Sequence, residues 1–138
     1  MIGKNEGGWS TVVISALDDR IKNGFAISSS FPLWMSPNEK NFGGYEHHLP
    51  SFYQIANYLE LYSMSAYGDD QSLTLFYNEF DPCCFSGELY KKFPFENVVK
   101  SKLKLLGNGT FNVLIDNNQR ENIVSNNTLE IINKSLLK

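Results

Sequence analysis

The sequence lacks a disulfide framework. Its only cysteines, Cys83 and Cys84, are adjacent, and neighbouring cysteines seldom pair because so short a loop strains the bond. This argues against a disulfide-stapled secreted scaffold and fits a reducing, cytoplasmic compartment. The first six residues, Met1-Ile2-Gly3-Lys4-Asn5-Glu6, hold no apolar signal-peptide core. No apolar run approaches the ~20 residues that a spanning helix needs, so no membrane role is expected. The chain also has no excess of basic residues: 12 Lys and Arg stand against 15 Asp and Glu, a net charge of −3. Nucleic acid is therefore not expected as the partner, because phosphate binding needs clustered Lys and Arg. A basic protein partner suits this charge better.

What is present is enough to fold. The 138 residues are 42% hydrophobic and 14% aromatic, which excludes intrinsic disorder and suits one domain over 1–138. Residues 1–8 read as a loose end. Trp9 to Leu17, with Thr11, Val12, Val13 and Ile14, reads as a strand covered on both faces. A second strand is expected from Phe25 towards Phe31. Residues 32–48 read as a long loop broken by Pro32, Pro37 and Gly43-Gly44, yet studded with Trp34, Met35, Phe42 and Tyr45.

Ser51 and Gln54 form a Ser-x-x-Gln capping box that opens a helix carrying Phe52, Ile55, Leu59 and Tyr62. Ser72 to Phe80 reads as a strand ended by Pro82, and 81–95 as irregular. From Val98 to Leu106, Val99, Leu103 and Leu105 alternate with Lys100, Lys102 and Lys104. With Gly107-Asn108-Gly109 and the period-two Phe111, Val113 and Ile115, this predicts a β-hairpin. Asn127, with Glu130 three residues on, is expected to cap a last helix whose inward face is Leu129, Ile132, Leu136 and Leu137. The expected fold is α+β, a mainly antiparallel sheet with about two helices packed on it.

The candidate chemistry is sparse. His47 and His48 are adjacent, so their side chains point apart and do not make the i,i+4 or i,i+2 pair that a metal site wants. Cys83 could act as a nucleophile with one of these imidazoles, but Glu79 and Asp81 beside it would oppose thiolate formation. No calcium loop or P-loop pattern occurs, and neither a cofactor nor a metal is expected. Acidic residues recur at predicted turns: Asp18, Asp19, Asp69, Asp70, Glu79 and Asp81. In an antiparallel sheet such turns can gather on one rim. With Trp34 and Tyr45 as aromatic anchors, they would form an interface with an apolar centre and a polar border.

Small size, mild acidity, an aromatic loop and no catalytic constellation give this chain its character. In that character it resembles the immunity proteins of contact-dependent growth inhibition and other polymorphic toxin systems. The resemblance implies an inhibitor or antitoxin that neutralises a cognate toxin, often a nuclease, by direct binding. The alternatives are a small enzyme using His47, His48 or Cys83 with a carboxylate, and a small-ligand-binding regulatory module.

Overall fold

The computed structural model describes residues 1–35, 44–118 and 123–137. Among the described residues the sheet has four strands in the order β1-β2-β3-β4, and each of their pairings is parallel. The strands are β1 (Ile2–Lys4), β2 (Asn23–Ile27), β3 (Ser72–Asn78) and β4 (Thr110–Asp116). Helices α1 (Glu6–Leu17), α3 (Tyr58–Ala66) and α5 (Glu96–Leu106) connect successive strands. Two short helices, α2 (Pro50–Tyr53) and α4 (Gly87–Lys92), lie within the connections, and α6 (Asn126–Leu136) follows β4. The expected antiparallel sheet with about two helices is therefore wrong. Parallel neighbours need a crossover, and the crossovers are segments that the sequence pattern disguised.

The segment read as a strand from Trp9 is α1. Its buried residues are Gly8, Thr11, Val12 and Ser15, which is helical spacing, while Ile14 and Leu17 are exposed. The face on the sheet is made of small residues, so the apolar pattern pointed away from the true contact. A Cβ added to Gly8 would lie 2.6 Å from Ser29 Cβ and 3.2 Å from Ile27 O, which measures how closely α1 sits on the end of β2 and the segment that follows it. Tertiary packing has overridden β-branched propensity here. The expected loose end, 1–8, is instead β1 and the first turn of α1, with Ile2 opposite Phe25 and Lys4 opposite Ile27.

The expected hairpin fails in an instructive way. Periods of two and four coincide at Val99 and Leu103, so both a strand and a helix place these two inward. Phe95, one helical repeat before Val99, is buried, whereas Leu105 is 85% exposed. That is the helical answer, and Lys100 pairs with Glu96 at i,i+4. Gly107 ends α5 at φ 114°, its amide bonded to Leu103 O at 2.9 Å. β4 then runs parallel to β3.

Helix boundaries also moved. The box at Ser51 makes no side-chain cap. Asn57 Oδ1 accepts the Glu60 amide at 3.1 Å and Glu60 Oε2 accepts the Asn57 amide at 2.8 Å, so the capping box opens α3. Ser125, not Asn127, caps α6, accepting the Thr128 amide at 3.0 Å. The inward face of α6 is Thr128 and Ile132, and Leu129, Leu136 and Leu137 are exposed. Residues 87–92, expected as irregular, form α4. The β3 expectation holds, and β2 stops at Ile27 with Ser28, Ser29 and Ser30 buried beyond it.

Two cores follow from strand alternation. Ala26, Leu73, Leu75, Tyr77 and Phe111 pack against α1, α3 and α5, while Phe25, Ile27 and Phe76 meet Ile132 of α6. Both faces of the central strands are buried, which is the ordinary state of a parallel sheet. Among the described residues, no helix is long and apolar enough to cross a membrane.

Candidate functional site

Parallel strands give the sheet two chemically different ends, and the acidic residues divide between them. Asp18 and Asp19 follow α1, and Asp69 and Asp70 follow α3. All four lie at the amino end of the strands, where Gln71 Nε2 donates to Asp19 O at 2.8 Å. Glu79 and Asp81 follow β3 at the carboxyl end. Seven strand residues separate the ends by roughly 20 Å. One rim therefore does not hold all six.

Most of these carboxylates are engaged. Arg20 grips Asp18, with Nη2 to Oδ2 at 2.6 Å, and this hydrogen bonding, against a small burial effect, brings the Asp18 pKa down to about 2. The Asn108 amide donates to Asp69. Lys91 pairs with Glu79. Asp81 Oδ1 accepts the Cys83 and Cys84 amides at 2.8 and 3.3 Å, shaping its own loop.

Asp116, not singled out in the sequence, is buried at the end of β4. It accepts the hydroxyls of Ser125 and Thr128 and the Asn118 amide. Burial alone would raise its pKa, but these donors together hold it below the ordinary 3.8. Its stabilisation is therefore present above pH 3.8 and is lost as pH falls through the lowered folded value. Asp116→Ala leaves two buried hydroxyls without their acceptor and should cost about 2–3 kcal/mol at pH 7. The gap from wild type in urea unfolding should narrow below pH 4.

The histidines do not form a metal pair. His47 is buried among aromatic rings, and His48 packs edge-on to Tyr45, with centroids 5.7 Å apart. Among the described residues, no group of three or more His, Cys, Asp or Glu is placed to hold a metal. Cys83 and Cys84, expected not to pair, are joined to each other. Their bond links no two elements of the fold.

The aromatic segment behaves in two ways. Phe31 and Met35 enter the core, whereas Trp34 and Tyr45 are 61% and 69% exposed. Pro37, Phe42 and Gly43 lie outside the described residues. Trp34 sits edge-on to Phe93, with centroids 6.2 Å apart, and lines a depression of about 310 Å³ with Leu33, Tyr53 and Tyr58. This depression shares Asn57 and Leu59 with a groove of about 460 Å³ between α3 and α5. Met64, Tyr67, Val98 and Leu106 line that groove, each between 44% and 55% exposed, with Lys102 and Glu60 beside them.

The result is one exposed apolar band along α3, with Trp34 at one end and Leu106 in the groove at the other. Sequence patterning missed the groove because it assigned one of its walls to a strand. The lysine row is dispersed by the same change: Lys102 borders the groove, while Lys100 and Lys104 line a separate depression beside Thr110. No protein-family model matches the chain, and neither a curated protein nor a solved structure matches it.

Proposed function

We propose that this chain is a protein-binding module that holds its partner on the apolar band along α3. We further propose that it is an inhibitor or immunity protein, neutralising a toxin by stoichiometric contact. The observation that carries the binding reading is the continuity of the band. Two depressions meet at Asn57 and Leu59, and large apolar side chains stay exposed in both. Exposed apolar surface bordered by polar residues is the make-up of a contact site. Trp34 is the natural anchor, because it offers a large, stiff surface that a partner would desolvate. A stable complex would bury on the order of 1,600 Å² in total, so the band would form its centre and not its whole extent. The carboxylates at the amino end lie outside the band. They would steer a basic partner through long-range attraction without being covered.

The test is retention of a stoichiometric toxin partner from the native host, and protection of growth when that toxin is expressed. Trp34→Ala and Val98→Asp should each weaken the complex roughly 30-fold or more, the scale of an interface hot spot. Both side chains are more than half exposed, so the melting temperature should hold within a few degrees. A partner that binds both variants undiminished would remove the band from the interface.

A small-ligand role is favoured by a different observation. Ser28 Oγ and Asp81 Oδ2, on loops after β2 and β3, are buried without hydrogen-bond partners. Ligands of parallel sheets bind at this carboxyl end. A bound donor-bearing molecule carried through purification and lost in Asp81→Asn would favour this role over partner binding.

A further inference from the structure

The turn at Tyr45–His48 is pinned by an imidazole in an unusual place. His47 is 3% exposed, and its ring stacks on Phe85, with centroids 5.9 Å apart and planes at 26°. Trp9 lies 5.5 Å away and Tyr58 6.4 Å away. The backbone carbonyl of His47 accepts the hydroxyls of Tyr53 and Tyr58, the latter at 3.3 Å. The Trp9 indole donates in turn to the Tyr58 hydroxyl at 2.9 Å. Tyr53 and Tyr58 also line the Trp34 depression, so the imidazole cage and the exposed band share two side chains.

We propose that His47 is an acid-sensitive latch: a proton on its imidazole expels the ring from the cage, frees Tyr53 and Tyr58, and dismantles the Trp34 half of the band. The consequence for partner release rests on the protein-binding reading above; the latch itself does not.

The surroundings decide the sign. Among the described residues, the groups that act on the ring are Glu6 from α1 and Glu46 and His48 from its own turn. Tyr58 of α3 presents its ring to the imidazole, while the neutral hydroxyls of Tyr58 and of Tyr53 from α2 bond the His47 backbone carbonyl and not its ring. Asp81, in the loop that carries Phe85, is turned towards the Cys83 and Cys84 amides. Glu46 Oε1 stands 3.9 Å from Nε2 and, with Glu6, favours the cation; His48 opposes it. Burial outweighs the carboxylates and lowers the His47 pKa below the ordinary 6.5. The folded state therefore binds fewer protons than the unfolded chain. Stability from His47 is fully present above pH 6.5 and is lost as pH falls from there through the lowered folded value.

The experiment is a pH titration of the full chain from 7.5 to 4.5, with the His47 ring followed by NMR and Trp9 by fluorescence in a Trp34→Phe background. The expected result is a His47 midpoint below 6.5, with Trp9 emission and the Tyr58 ring signals changing at that same midpoint. His47→Leu, which cannot take a proton, should abolish the Trp9 change. If that variant does not fold, the wild-type ring signals still decide. A midpoint at or above 6.5, or Trp9 and Tyr58 signals that stay constant through it, overturns the latch. With the toxin partner in hand, affinity should fall at least 10-fold between pH 7.5 and 5. Equal binding at both pH values, with the ring signals moving, would remove the docking reading and keep the latch.

Discussion

Replacing Gly3 by alanine should destabilise the protein by about 3 kcal/mol or more, beyond the ~1–3 kcal/mol of ordinary overpacking. The reason is geometric. A Cβ at Gly3 would stand 2.0 Å from Gly7 O, 2.3 Å from Gly7 C and 2.6 Å from Thr11 Oγ1. The first two are backbone atoms of α1, which cannot rotate out of the way. The helix must lift off β1, or β1 must leave β2, where three register pairs hold it. Either movement opens the contact that Gly8, Thr11 and Ser15 make with the sheet. For a domain of this size the loss corresponds to a fall in melting temperature of roughly 10 °C. Gly7→Ala is the matched control. Nothing lies within 4 Å of its added Cβ, and it sits inside α1. Alanine there should be neutral or should stabilise by up to about 1 kcal/mol, since glycine is a poor helix residue. If Gly3→Ala melts with the wild type, α1 does not pack on β1 as described.

Tyr62→Ala should be the most damaging core truncation, at about 3–5 kcal/mol. Tyr62 is fully buried in α3, where its ring stacks on Phe95 at 5.4 Å and on Phe111 at 5.7 Å. It therefore joins α3 to β4 and to the start of α5, three segments distant in sequence. Its hydroxyl meets Ser30 Oγ at 2.9 Å and Ser30 O at 3.2 Å, tying the end of β2 to the same point. Tyr62→Phe separates the two contributions. It keeps the stack and removes the hydroxyl, and Tyr77 still donates to Ser30 O at 2.8 Å. That variant should cost about 1–2 kcal/mol. Urea unfolding of the pair measures both. A cost under about 2 kcal/mol for Tyr62→Ala would mean that these rings do not form the centre of the core.

The particular elements show why some of this was readable in advance. β3 was legible because Leu73, Leu75 and Tyr77 alternate with Thr74, Phe76 and Asn78 between a Gly-Asp-Asp turn and Pro82, which is the period of a strand. α5 was not. Its Val99 and Leu103 satisfy two periods at once, and only the exposure of Leu105 separates them, a fact that exists only after folding. α1 was misread because its sheet-facing side is Gly8, Thr11 and Ser15, which no hydrophobic pattern marks. The same limit applies to the site. Trp34 stood out by residue type and is exposed. The groove it leads into needs α3 and α5 side by side, and no local signal places them so.

The sequence by itself determined the net charge of −3, the supply of apolar residues for a core, and the lack of any run fit to cross a bilayer, because these depend on which residues occur and in what order, and not on where distant segments meet. Tertiary structure decided strand direction, the split of the carboxylates between opposite ends, the burial of His47 and the exposed band on α3. Each of these is a relation between segments 20 or more residues apart, and local periodicity carries no information about such distances.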